Sequence, residues 1–191
     1  MRLALASTSP RRLALLRQAG IEPRQVLAPD VDETPLKGEL PADHALRLAG
    51  VKADAGRAQL AEPAFVVAAD TVVACGRRIL PKAGTRAEAE ACLRLISGRR
   101  HRVHGGLCVI APDGRRRTRL VTTSVRIKRL TQDEISFYLA SGEWEGKAGG
   151  YAIQGLAATF VPSINGSYTN VVGLPLAETV AMLEGLGWCR P

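Results

Sequence analysis

The sequence predicts an α/β fold built on a mixed, twisted sheet. Three observations carry that expectation. Apolar runs rich in β-branched residues, above all Phe65-Val66-Val67-Ala68-Ala69 and Val72-Val73-Ala74-Cys75, read as a strand buried on both faces. Helical periodicities over 42–59 and 86–96 interleave with such strands along the chain. Turn signals at Gly76-Arg77 and Pro112-Asp113-Gly114 imply hairpins, so some neighbours must be antiparallel.

The elements follow in order. Residues 2–6 form a short apolar strand. Residues 10–19 form a helix with Leu13, Leu16 and Ala19 at helical spacing, stopped by Gly20. Residues 25–32 look extended, and Asp32-Glu33-Thr34-Pro35 with Gly38 and Pro41 reads as a loop. From 42 to 59 a helix presents Ala45, Leu48, Ala49 and Ala53 as an apolar face, with Lys52 beside it. The long strand over 65–75 turns at Gly76-Arg77, and Ile79-Leu80 returns. A helix over 86–96 ends at Ser97-Gly98. Strands over 102–110 and 118–127 flank the second hairpin. Thr131 with Glu134 three residues on is a capping box for a helix over 132–141, stopped by Gly142. A Gly-rich stretch over 146–155, a short strand over 160–164 and a last helix over 175–186 complete the chain. No internal repeat or low-complexity linker divides it, so 1–191 reads as one domain.

Composition narrows the function classes. The 191 residues are 46% apolar, enough for a substantial core and against disorder. A net charge of +8 and a pI near 9.9 favour an anionic partner. Aromatic residues are only 4%, which argues against base-stacking platforms for nucleic acid. No apolar run reaches membrane-spanning length, and no signal peptide is recognisable at the start. Cys75, Cys92, Cys108 and Cys189 are widely spaced without a C-x-x-C pair, so buried thiols in a reducing cytoplasm are expected.

Chemistry concentrates in a few places. In Ser7-Thr8-Ser9-Pro10-Arg11-Arg12 a strand runs into a helix start. Ser9 can cap it and Pro10 suits the first helical position. The free amides, the helix dipole and two guanidinium groups make an anion site, and phosphate is the natural ligand. The alternative is a capped helix with two solvated arginines. Asp70 is a carboxylate inside an apolar strand, costly to bury ionised unless a cation, metal or backbone donors answer it. It reads as a metal ligand or general base, or else as a strand-end residue capping a loop. Glu33 is a second acid in a polar loop. Lys52 and Lys82, with Arg11 and Arg12, are four cations near element ends that could converge on one polyanion.

Other patterns carry less. His44, His101 and His104 are scattered, and His101 and His104 face opposite sides of their strand, so a histidine metal site or a Ser-His-Asp triad is poorly supported. The segment Gly142-Glu143-Trp144-Glu145-Gly146-Lys147-Ala148 imitates a P-loop, but its spacing is one residue short and Ala148 stands where Ser or Thr is needed. Arg115-Arg116-Arg117 and Arg119 read as a solvated basic edge. Gly149-Gly150-Tyr151-Ala152-Ile153-Gln154-Gly155 combines close-approach glycines with an amide, Gln154, able to read a base edge.

These segments together resemble the Maf family of nucleoside triphosphate pyrophosphatases. The resemblance rests on Ser7-Thr8-Ser9-Pro10-Arg11-Arg12, Glu33, Lys52-Ala53, Ala68-Ala69-Asp70-Thr71-Val72-Val73, Lys82, Ser97-Gly98 with His101, the Gly149–Gly155 stretch and Gly166-Ser167-Tyr168 through Asn170-Val171-Val172-Gly173-Leu174-Pro175, in order along nearly the whole chain. It implies a two-lobed α/β fold related to the inosine triphosphate pyrophosphatases, with a central cleft. It implies hydrolysis of a nucleoside triphosphate to the monophosphate and diphosphate with Mg²⁺ or Mn²⁺. The Tyr-Ala-Ile-Gln-Gly form with Thr71 is similar to the subgroup acting on dTTP and UTP, with modified pyrimidine triphosphates as further candidates; a sister subgroup acts on 7-methyl-GTP.

The resemblance makes Asp70 the proton acceptor and ties Arg11, Thr71 and Gln154 to base choice. Lys52, Lys82 and Glu33 join Asp70 as expected catalytic residues, Ser7 and Arg12 join the substrate-binding set, and Asp70 with Glu33 are the expected metal ligands. The family further implies a homodimer. Its link to inhibition of septum formation supplies a rival, a nonenzymatic regulator that binds nucleotide or nucleic acid. Two departures stand out. Ala83 follows Lys82 where the family has proline, an expected loosening of Lys82. Gly105-Gly106 replaces a Thr-Gly pair, an expected change in the cleft wall or dimer surface.

Overall fold

A computed structural model describes residues 1–190. The chain order is β1 (Leu3–Ala6), α1 (Pro10–Gln18), β2 (Gln25–Leu27), α2 (Pro41–Ala58), β3 (Phe65–Cys75), β4 (Arg78–Leu80), α3 (Arg86–Ile96), β5 (Arg100–Ile110), β6 (Arg116–Arg126) and α4 (Gln132–Ala140). A 3₁₀ turn (Leu156–Phe160), β7 (Ser163–Asn165), α5 (Tyr168–Val172) and α6 (Leu176–Gly185) follow. The seven strands form one sheet in the order β2-β1-β3-β5-β6-β7, with β4 paired to β3. β1 is parallel to β2 and β3, while β3, β5, β6 and β7 pair antiparallel in turn, so the sheet is mixed as the sequence predicts.

Alternation along β3 divides the core. Phe65, Val67 and Ala69 pack with Leu3 and Leu5 of β1 against Leu15, Leu16, Met182 and Leu183, which come from α1 and α6. Val73 continues that face under the antiparallel half, where Ala89, Leu93, Ile135 and Tyr138 of α3 and α4 cover it. The opposite face holds Val66 and Ala68 with Ala6, Cys108 and Ile110, covered by Ala49 and Ala53 of α2. Small residues let α2 lie very close to the sheet. A Cβ on Gly106 would fall 2.0 Å from the Ala45 carbonyl oxygen, and one on Gly56 would fall 2.5 Å from the Ala6 Cβ. The glycine at 106 is therefore a packing requirement of the cleft's back wall.

The edge of β3 that faces β1 explains where a site forms. β1 is short and pairs with β3 only over residues 65–67. On the same edge β4 pairs with β3 only over residues 73–75. Residues 68–72 are left without a neighbouring strand on that edge, and Asp70 and Thr71 lie in the middle of this gap. Side chains from both faces of the sheet can meet there.

Local differences from the sequence expectations have physical causes. The extended stretch expected over 25–32 pairs only at Gln25–Leu27. The strand expected over 160–164 is the 3₁₀ turn followed by β7, because Phe160 is buried against the α3–α4 core and Val161 leaves the turn. α5 forms where the sequence predicts no helix; Ser167 caps it by accepting from the Asn170 amide. On α1 the most buried residues are Leu15 and Leu16, with Leu13 and Ala19 only flanking the core. Ser9 precedes α1 but its side chain caps nothing; its amide instead donates to Ser7 Oγ at 3.2 Å. The arginines of the β5–β6 hairpin are not simply solvated. Arg115 pairs with Asp113 and donates to the Leu186 carbonyl at 3.1 Å, and Arg116 pairs with Asp54 of α2.

Candidate active site

A cleft of about 410 Å³ fills the gap in the β3 edge. Ser7, Arg11, Arg12, Glu33, Lys52, Asp70, Thr71, Lys82 and Gln154 all border it, so the fold brings together every site residue expected from the sequence.

Four of them form one chain of ion pairs. Asp70 points to the α2 face and is 4% exposed; Lys52, 6% exposed, reaches it from α2 with Nζ 2.5 Å from Oδ1. The same ammonium lies 2.5 Å from Glu33 Oε1. Lys82 Nζ lies 2.5 Å from Glu33 Oε2. Two lysines and two carboxylates therefore alternate from the buried end of the cleft to its rim. Partial burial works against the Glu33 charge, but the bonds from Lys52 and Lys82 outweigh it and hold the carboxyl down at about 2. Lys52 lies within the apolar face of α2 rather than beside it, and this is affordable only because two carboxylates share its charge.

Glu33 stands on an irregular loop, and a cluster that sequence patterns barely signal fixes that loop. Glu39 accepts from the Leu36 amide at 2.9 Å and from Arg47 Nε at 2.6 Å, and lies 2.9 Å from His44 Nδ1. Arg47 also donates to the Thr34 carbonyl at 3.1 Å. Both partners come from the first half of α2, so one helix carries Lys52 and anchors the loop of its acidic partner. Only the i, i+3 spacing of His44 and Arg47 on a helix hinted at it.

Lys82 is tied down, against the expectation that Ala83 would loosen it. Lys82 bridges to Ala148, and the Ala83 amide donates to the Lys147 carbonyl at 3.1 Å, a bond that proline could not make.

The opposite wall is made by α1 and α5. Arg12 donates from Nε to the Gly173 carbonyl at 2.9 Å, from Nη1 to Ser7 Oγ at 2.9 Å and from Nη2 to Thr71 Oγ1 at 3.3 Å. Thr71 in turn donates to the Gly173 carbonyl at 3.4 Å. One guanidinium thus joins the β1–α1 turn, β3 and the end of α5. Arg11 donates from Nε to the Val172 carbonyl at 3.3 Å. Asn170 holds this wall from behind. It is fully buried, and its Nδ2 donates to the Val103 and Val121 carbonyls and to Thr123 Oγ1. Its side chain lies over Gly105, where a Cβ would fall 1.8 Å from Oδ1. The Gly105-Gly106 departure therefore serves packing on both faces of the sheet behind the cleft.

Gln154 sits at the exposed rim, at the end of a tightly held segment. Gly149 and Gly150 take φ of +73° and +69°, and a Cβ on Gly150 would meet the α3 backbone at Ala89. Two buried hydroxyls then fix the chain: Tyr151 Oη lies 2.7 Å from His101 Nε2, and Tyr138 Oη accepts from the Ala152 amide at 3.0 Å. Burial holds the His101 imidazole down at about 4, so it is neutral at pH 7.

A cleft with this lining order along the chain has known relatives. The family model described as Maf-like protein matches residues 2–186. The chain belongs to the Maf family. Relatives of this Maf chain include a dTTP/UTP pyrophosphatase of Paramagnetospirillum magneticum, 65% identical over 189 residues that make up 97% of each chain. Another, from Mesorhizobium japonicum, carries the same name and is 59% identical over 98% of this chain and 92% of its own. Among solved structures, a HAM1 protein from Coxiella burnetii superposes with a TM-score of 0.51 at 17% identity, covering 97% of the Maf chain and 99% of the other. That likeness shows a shared fold.

Among the described residues of the Maf chain, no group of three or more His, Cys, Asp and Glu side chains is placed to hold a metal ion. Asp70 and Glu33 nevertheless converge on the single Lys52 ammonium from two sides. Two carboxylates at one point suit a divalent cation that keeps several water ligands and takes the rest of its oxygens from a phosphate chain. No helix among the described residues is long and apolar enough to cross a membrane.

Proposed function

We propose that this protein hydrolyses dTTP and UTP to the nucleoside monophosphate and diphosphate, with Asp70 as proton acceptor. The observation that carries the reading is the Lys82–Glu33–Lys52–Asp70 chain facing the Arg11–Arg12–Ser7 wall across one cleft. Relatives at 59–65% identity are named dTTP/UTP pyrophosphatases, which agrees with it. The whole chain acts as one catalytic domain whose two lobes meet at this cleft.

The reaction needs water to attack the α-phosphorus while diphosphate leaves. Asp70 orients that water and accepts its proton through the oxygen not taken by Lys52. Lys52 pairs with Asp70 and faces the charge that builds on the phosphoryl oxygens. Glu33 bridges the Lys52 and Lys82 ammonium groups and keeps both at the cleft. Ser7, the β1–α1 turn and Arg11 bind phosphate oxygens, and Arg12 stiffens that turn through its three bonds. In the alternative role open to Asp70, it and Glu33 would instead hold a Mg²⁺ or Mn²⁺ that neutralises charge on the triphosphate; the one carboxylate does not serve both roles at once. Gln154 donates its amide N–H to a ring carbonyl and accepts from the ring N3–H, a pair of bonds that thymine and uracil both satisfy. Thr71 sets the depth of that wall through Arg12 and Gly173.

Four free cysteines fit a reducing cytoplasm, where we place the protein. We propose a homodimer on the strength of the family resemblance, to be read by light scattering.

The test is a panel of nucleoside triphosphates with Mg²⁺ or Mn²⁺, scored for diphosphate release. dTTP and UTP should be the preferred canonical substrates. Preference for 7-methyl-GTP would overturn the base assignment. Absence of all turnover, with salt-dependent DNA binding, would favour the nonenzymatic regulator.

A further inference from the structure

The cleft is bordered by a fifth cation, Lys147, which belongs to the segment that imitates a P-loop. The imitation is only local, since residues 146–150 lead into the Gly-rich turn and not into a helix. Yet this lysine faces the same cavity as Arg11, Lys52 and Lys82.

The five cations fall into two sets. Lys52 and Lys82 are satisfied by carboxylates at 2.5 Å. Arg12 spends its donors on Gly173, Ser7 and Thr71. Arg11 has one protein acceptor, the Val172 carbonyl, and Lys147 has one, the Glu145 carbonyl at 2.9 Å. Neither makes an ion pair with a carboxylate among the described residues. Half-buried cations without a counter-charge are costly unless an anion arrives. Burial, and after it the nearby Arg11 charge, push the Lys147 ammonium below its usual range, with Glu143 and Glu145 acting the other way. Lys147 and Arg11 thus line one cleft as two cations without a carboxylate partner among the described residues.

The Lys147 backbone is also held in place. Its carbonyl accepts from the amides of Ala83 at 3.1 Å and Gly150 at 3.0 Å, and its amide donates to the Trp144 carbonyl at 3.1 Å. Trp144 is buried and anchored by its indole to the Leu139 carbonyl. A fixed backbone position beside the cleft, with an ammonium that has no such carboxylate partner, places a cation where an anion can recruit it.

We propose that Lys147 binds the polyphosphate chain of the substrate, sharing its negative charge with Arg11. This rests on the reading of the cleft as a triphosphate site and is independent of which base is selected. Lys147 would act on binding, whereas the Lys52–Asp70 pair acts on the chemical step.

The test is calorimetric titration of inorganic tripolyphosphate into wild type, Lys147→Met and Lys147→Arg, together with kcat and KM for UTP. Lys147→Met should weaken tripolyphosphate binding about tenfold, the scale of one charge-assisted hydrogen bond. It should raise KM by a similar factor with kcat within about threefold, and Lys147→Arg should restore most of the affinity. Unchanged tripolyphosphate binding in a folded Lys147→Met protein, or a loss confined to kcat, would overturn the proposal. Lys147→Gln serves the same comparison if the Met variant does not fold. If wild type binds tripolyphosphate but turns over neither dTTP nor UTP, the substrate reading fails while the titration still decides the role of Lys147.

Discussion

The Lys52 ammonium lies 2.5 Å from Asp70 Oδ1 in a pocket where each residue is about 95% buried, and the same nitrogen holds Glu33. That geometry makes the two partners unequal. Removing Lys52 leaves a buried Asp70 carboxylate with no cation at bonding distance. Removing the Asp70 charge leaves Lys52 still paired. Lys52→Met should therefore cost about 3 kcal/mol of stability, on the scale of a broken buried pair. Asp70→Asn should cost clearly less. Urea denaturation of both variants measures the difference, and equal losses would mean that Glu33 does not share the lysine.

Acid should weaken the site through Glu33. Its carboxyl is held down at about 2, against an ordinary value near 4.5. The native state thus favours the ionised form, and this contribution is complete above about pH 4.5 and lost as pH falls towards 2. The side chain is 40% exposed, so added salt should reduce the effect. Denaturation midpoints between pH 5 and 2 should fall less steeply in Glu33→Gln than in wild type.

His101 imposes a second pH dependence, from a different cause. Burial holds its imidazole at about 4, below the 6.5 of a free side chain. The unfolded chain takes up the proton first, so the stability tied to neutral His101 is complete above about pH 6.5 and declines as pH falls towards 4. Stability measured from pH 7 to pH 5 should lose part of its slope in His101→Phe, whatever that variant's absolute stability.

Glycines on and under α2 should respond in opposite ways. Gly106→Ala forces a Cβ to within 2.0 Å of the Ala45 carbonyl oxygen, and backbone on both sides prevents relief. It should fail to fold or lose several kcal/mol. Gly50 lies in the interior of α2 with nothing within 4 Å of the added carbon, so Gly50→Ala should raise stability by about 0.5–1 kcal/mol. Thermal melts of the two variants check both signs.

The strands and long helices were legible in the sequence because their signals are local. Phe65-Val66-Val67-Ala68-Ala69 reads as a buried strand from its apolar run, and the Thr131 cap with Glu134 marks a helix start by short-range bonds. The site residues were legible as a set through the motifs that carry the family resemblance. What could not be read is what depends on long-range geometry. The gap along residues 68–72 of β3 follows from how far β1 and β4 extend. The Glu39–His44–Arg47 anchor depends on a loop folding back on α2. The place of Lys147 in the cleft comes from the pairing of Lys82 with Ala148, which no local motif encodes. The cap expected of Ser9 is not made by any side chain; the Ser7 hydroxyl instead accepts the Ser9 amide and an Arg12 donor.

The claim on which the rest depends is that Asp70 activates water for attack at the α-phosphorus. It is tested most directly by hydrolysing UTP in ¹⁸O-water with wild type and Asp70→Asn, following turnover and the position of the label. The account predicts label in UMP and none in diphosphate, with a loss of at least about 100-fold in kcat for a folded Asp70→Asn protein. Label in the diphosphate, or turnover close to wild type in the variant, would contradict it.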